Sequence, residues 1–126
     1  MTATKTETLS AVFIPSSGDF PKEVNLLETT DGFRELQKLV GGYVQVIALR
    51  GQFAGYELWL NEEGKLMNLP FNTVATLIWE ECYGRTYVVV GNAVITKGAN
   101  ARGVTPSMTP AQVAKVLGLI KGWTEL

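Results

Sequence analysis

The chain has 126 residues, enough for one domain with a core of its own. Hydrophobic residues make up 46% and charged residues 18%, which fits a globular domain and excludes a disordered one. A net charge of −1 argues against a strongly electrostatic nucleic-acid binder, and the absence of histidine removes imidazole-dependent triads and most zinc sites.

The opening residues, MTATKTETLS, lack the apolar core of a signal peptide, and residues 1–8 are expected to be a poorly ordered tail. No apolar run approaches the roughly 20 residues that span a bilayer, so no membrane contact is expected. Cys82 is the only cysteine. It can form no internal disulfide, which suggests a reducing compartment, and the expected location is the cytoplasm.

Leu9–Ile14 is apolar and partly β-branched, and Pro15 closes it, which predicts a strand followed by a Pro-Ser-Ser-Gly turn. Glu23–Thr29 reads as a second strand with imperfect alternation. Asp31–Val40 reads as a helix with Thr30 or Asp31 as cap and Phe33, Leu36, Leu39 and Val40 on one face, and Gly41-Gly42 stops it. Tyr43–Leu49 is apolar on both faces, the pattern of a central strand covered on two sides. Gly51–Gly55 is a loop, and Tyr56–Leu60 is a strand close enough in sequence to pair antiparallel with its predecessor. Asn61-Glu62-Glu63-Gly64 has turn composition, and Lys65–Leu69 is expected to be a short returning strand ended by Pro70.

Asn72 caps a predicted helix that runs to Tyr83 and buries Ala75, Ile78, Trp79 and Cys82. Thr86–Thr96 is strongly β-branched and interrupted by Gly91-Asn92, which predicts a bulged strand or a hairpin of two. Lys97–Met108 is a loop of small residues. Thr109-Pro110-Ala111-Gln112 forms a capping box, and Val113, Val116, Leu117 and Ile120 give the last helix its apolar face. Together these elements predict an α+β domain over residues 9–126, a mostly antiparallel sheet of about six to seven short strands with three helices packed mainly on one face.

No phosphate-loop or dinucleotide motif is present, and no cofactor, metal site or catalytic residue is expected. The pairs Glu62-Glu63 and Glu80-Glu81 would support metal-dependent nucleotide hydrolysis only if they converged. Cys82, on an apolar helix face, reads as a small core residue. In the loop from Lys97 to Gly103, Lys97, Asn100 and Arg102 sit among small residues, a combination suited to an anion such as a phosphate, or to an ordinary connection. Trp59, Trp79 and Trp123 are expected in the core, whereas Tyr43, Tyr56, Tyr83 and Tyr87 lie at element edges where a ring could stack on a base or a partner.

From Leu36 to Ile95 the sequence carries Leu36-Gln37-x-x-Val40-Gly41-Gly42-Tyr43-Val44-x-Val46, then Leu60-Asn61-Glu62-Glu63-Gly64-Lys65-Leu66. It continues with Leu69-Pro70-x-Asn72-x-x-Ala75-Thr76 and Val90-Gly91-Asn92-Ala93-Val94-Ile95. In order and spacing this resembles a family of small domains of unknown function found in bacteriophages, plasmids and the bacteria that carry them. The resemblance implies an intracellular accessory protein of a mobile element. Asn72, Ala75 and Thr76 belong to the shared pattern. Asn72 is either a helix cap or, with Thr76 one turn away, part of a ligand contact.

The expected function is non-enzymatic. The protein binds and blocks a host component, in one version sequestering a nucleotide immune signal and in another binding a host protein through exposed aromatics or a sheet edge. The candidate ligand residues are Asn72, Thr76, Lys97, Asn100 and Arg102. The partner is then a small phosphate-containing ligand or a host protein in the host cytoplasm. Alternatives are a single-stranded nucleic-acid module, against which the charge argues, and the hydrolase; self-association into a homo-oligomer is also considered.

Overall fold

A computed structural model describes residues 8–27 and 30–124. The strands are β1 (Thr8–Ile14), β2 (Lys22–Leu27), β3 (Val44–Ala48), β4 (Tyr56–Asn61) and β5 (Ala93–Lys97). The helices are α1 (Thr30–Val40), α2 (Thr73–Tyr83) and α3 (Pro110–Thr124), with a 3-10 turn at Gly51–Phe53. All pairings are antiparallel, and the spatial order is β2-β1-β5-β4-β3.

The fold is the α+β arrangement that the residue pattern predicts, with five strands rather than six or seven. Alternation along the strands produces two apolar layers. Val12, Ile14, Leu58, Leu60, Ala93 and Ile95 face α2 and α3, which contribute Ala75, Ile78, Val113, Val116 and Ile120. On the opposite face, Leu9, Ala11, Leu26 and Val94 meet Leu36 and Val40 of α1. Two helices therefore share one face and the third covers the other.

Two expected strands are absent for a common reason. Lys65–Leu69 is a turn, closed by Met67 N–H to Glu63 O and Leu69 N–H to Gly64 O, with Asn68 at φ +54°. Thr86–Val90 forms no strand, and its only strand-like contact is the bridge of Val90 to Phe71. Its backbone pairs instead with the start of α2: Val89 N–H donates to Thr76 Oγ1, Val89 O accepts from Asn72 N–H, and Gly91 N–H donates to Pro70 O. Gly91 marks the tightest passage, at φ +79°, where a Cβ would lie 2.8 Å from Leu69 Cδ1. The strand over Val44–Ala48 forms, but it lies at the sheet edge and not in the centre.

The helix ends follow local chemistry. Asn72 Oδ1 accepts from Ala75 N–H at 3.0 Å and caps α2. Thr109 and Gln112 form the reciprocal capping box of α3, at 3.1 and 2.8 Å. Gly41, at φ +86°, ends α1, and the N–H groups of Gly41 and Gly42 both donate to Gln37 O. The cap expected at Thr30 or Asp31, the end of the second strand at Glu28-Thr29, and residues 1–7 of the expected tail lie outside what is described; Thr8 belongs to β1.

Asn72 holds more than its helix. It is 1% exposed, and its Nδ2 donates to Ile14 O at 3.0 Å and to Gly91 O at 2.8 Å. Asn72→Ala removes three buried bonds and strands two carbonyls, so it should cost roughly 3 kcal/mol or more in a urea or thermal unfolding titration. Asn72→Asp keeps the cap acceptor but loses both donations, and should be destabilised despite its intact cap.

Candidate functional site

The end of the sheet where β1 finishes and β5 begins is built by three asparagines. Besides Asn72, Asn61 Nδ2 donates to Val40 O at 3.0 Å, and its Oδ1 accepts from Glu63 N–H at 2.7 Å. Asn92 Nδ2 donates to Leu39 O at 3.0 Å, and its Oδ1 accepts from Ser16 N–H at 2.9 Å. The last carbonyls of α1, which no helical N–H can reach, are thus taken up by side chains from β4 and from the segment before β5. Gly42 lies close beside Asn61: a Cβ there would lie 3.1 Å from Asn61 Nδ2 and would press on the amide that holds Val40 O.

Above this frame stands the loop between β4 and α2. Gly64 N–H bonds Asn61 O at 3.3 Å, and Asn68 N–H bonds Lys65 O at 3.2 Å. The Lys65 ammonium sits 3.8 Å from the centroid of the Tyr87 ring. So anchored, the loop turns Leu66 outward to 84% exposure and leaves Met67 and Phe71 about half exposed. Beside it, Gln37, Gly41, Gly42, Tyr43, Glu63 and Met67 line an open depression of about 350 Å³. Tyr43 is 67% exposed, and Glu62 and Glu63 are both exposed. Tyr43 and Met67 line this depression with Glu63, and Leu66 and Phe71 are the other exposed apolar residues of the segment between β4 and α2; these four side chains are termed the crest.

The five residues expected to bind a ligand are not brought together. Thr76 is buried, accepting from Val89 N–H at 2.9 Å. Asn72 bonds Gly91 O, two residues before β5, while Lys97 lies at the far end of that strand, which itself spans roughly 13 Å at strand rise. Asn100 Oδ1 accepts from Arg102 N–H and Val104 N–H, and so shapes its own loop. The Arg102 side chain is exposed, and Lys97 Nζ lies 5.9 Å from the Tyr56 ring centroid. Asn72 is a helix cap, one of the two roles that its place in the sequence allowed, and Thr76 braces the backbone of Val89, a role that the sequence did not suggest.

The carboxylate pairs do not converge either. Glu63 lines the depression beside the crest, whereas Glu80 and Glu81 line another with Arg85 and Trp123. Among the described residues no three metal-ligating side chains gather. The sequence reading missed Leu66 and Met67 because apolar residues in a presumed strand look like core. Asn68, a residue type tolerant of positive φ, was the signal for a turn.

Trp79 and Tyr87, half-buried against the core, group with Tyr83, whose ring and that of Tyr87 have centroids 5.2 and 4.8 Å from Trp79. Arg50 covers Tyr83 at 4.7 Å. Cys82 is tied to the backbone of Arg50, accepting from its N–H at 3.3 Å and donating to its O at 3.4 Å.

The chain belongs to a family described as a domain of unknown function (DUF3846), whose model matches residues 10–121. No curated protein and no solved structure matches it. No helix among the described residues is long and apolar enough to cross a membrane.

Burial, the largest influence, pushes the Cys82 thiol above the ordinary thiol range, and neighbouring Glu81 adds to the rise. The folded protein resists ionising it, so any stability that it contributes is present below the unfolded thiol pKa and fades as pH rises through the folded value. Alkylation at neutral pH should be slower than for a small free thiol, and its rate-against-pH profile should inflect at a higher pH than that thiol's; an earlier inflection would contradict this burial.

Proposed function

We propose that the protein is a non-catalytic accessory factor of a phage or mobile element that binds and blocks a host protein, using the crest of Leu66, Met67, Phe71 and Tyr43. One observation carries this reading: a loop closed by its own hydrogen bonds holds large apolar side chains in water instead of folding them inward. Exposed apolar groups presented on a rigid support mark a surface meant for a partner. The open depression beside the crest suits a protein surface better than an enclosed small molecule. Glu62 and Glu63 add a preference for a partner whose apolar groove has a basic rim. The resemblance to mobile-element proteins supports a host protein as the target.

A photo-crosslinking residue placed at Leu66 should trap one discrete protein in cells that express the chain. The same residue at exposed Lys115 on α3 should not. The change Leu66→Ser should leave the melting temperature within about 2 °C, because that side chain is 84% exposed, and should lower partner affinity at least tenfold. A crosslink pattern that is the same at both positions would overturn the proposal.

A further inference from the structure

We propose that two copies of this chain pair through β3, antiparallel and centred on Gln45, to form one continuous ten-stranded sheet. This goes beyond the proposed function and does not depend on it: the pairing takes Tyr43 into the seam and leaves Leu66, Met67 and Phe71 of the crest to a host partner. The starting point is a mismatch. Val44–Ala48 is apolar on both faces, the pattern of an interior strand, yet β3 lies at the sheet edge. Edge strands in soluble proteins are guarded by charge, proline, a bulge or a covering element. The other edge, β2, has such guards: it opens with Lys22-Glu23, and α1 packs along it. β3 has no charged residue, proline or bulge, and the α1 cluster takes in only Val44 at its start; Val46 is 44% exposed, and Tyr43, just before the strand, 67%.

The backbone specifies the register. Tyr43 O accepts from Glu62 N–H, and Leu49 N–H donates to Tyr56 O, so the odd-numbered residues bond to β4. The N–H and C=O groups of Val44, Val46 and Ala48 therefore point outward. The carbonyl of Ala48 is already taken by the Tyr83 hydroxyl, which closes that end of the edge. Between that end and the crest loop, Val44 and Val46 have no hydrogen bond from outside the ladder among the described residues. A pairing centred on Gln45 sets Val44 against Val46 of the second copy and uses these four groups on each chain. It leaves the Tyr83–Ala48 bond intact, whereas a pairing centred on Val46 would set Ala48 against Val44 of the second copy and compete for that carbonyl.

The charges agree. Glu62 and Glu63 flank the start of β3, and Arg50 follows its end. Antiparallel pairing brings each start to the other copy's end, so the acidic pair of one copy and the Arg50 of the other, seated over Tyr83, come to the same end of the seam, and opposite charges share each end. Tyr43 packs beside Ile47 of the second copy, and the strand with the interior pattern becomes interior.

Light scattering at rising concentration should give twice the chain mass. Across the axis the two Gln45 side chains form a non-hydrogen-bonded pair, where β-carbons lie about 5 Å apart. Gln45→Lys and Gln45→Glu, at an exposed position, should each give a folded monomer through like-charge repulsion. Mixing the two variants should restore the dimer. As a second readout, the Val44 and Val46 amides of the unaltered chain should be protected from hydrogen exchange at high concentration and lose that protection on dilution. A monomer at all concentrations, a dimer indifferent to Gln45, a mixture that fails to reassociate, or amides that exchange freely in the dimer would each overturn the proposal.

Discussion

Three side-chain amides close one end of the sheet, and the positions of α1 and α2 relative to the strands depend on that closure. A carboxamide offers both donors and acceptors, so one asparagine can satisfy a helix terminus and a strand end at once. Asn61 and Asn92 take the final carbonyls of α1; Asn72 caps α2 while holding β1 and the approach to β5. These bonds join backbone positions as distant in sequence as Ile14, Val40 and Gly91. Among the described residues no buried side-chain polar atom lacks a partner. The α2 and α3 layer packs on the strands that this closure aligns, so the apolar cores of both faces rest on a polar joint.

Features set by neighbours along the chain were legible in the sequence. The caps at Asn72 and Thr109, the stop at Gly41-Gly42, and the β3–β4 pair all follow from a few adjacent residues. What failed depended on distant partners. Thr86–Val90 has strand composition, but its N–H and C=O groups find the start of α2 before they find another strand. Lys65–Leu69 has strand composition too, and Asn61, through its grip on Glu63 N–H, turns the chain away from its neighbour. Propensity names a conformation that fits a pleated surface; it does not supply the neighbour.

The candidate site was harder to read for a related reason. Sequence reasoning looks for polar and charged side chains as ligand contacts, and it found Asn72 and Thr76. The buried interior had a prior claim on both, because each leaves a buried backbone group unpaired if it turns to a ligand. The exposed Leu66 and Met67 carry the opposite lesson. In a sequence an apolar residue is assigned to the core by default, and only the turn geometry shows that these two cannot reach it.

The scaffold and the crest are therefore one construction. Recognition by apolar knobs is weakened when the knobs must be ordered on binding, and strengthened when a rigid support holds them beforehand. Asn61 sits at the junction: its Nδ2 holds the end of α1, its Oδ1 starts the crest loop, and its backbone ends β4. Residues of the family pattern such as Gly41, Asn61, Gly64, Asn72 and Asn92 lie at this end of the sheet and support the loop from below, and the same pattern takes in Tyr43 and Leu66, two of the exposed side chains. The pattern thus spans both the polar joint and two of the side chains that the joint holds out, so the grip of Asn61 on α1 and the outward turn of Leu66 are parts of one local arrangement.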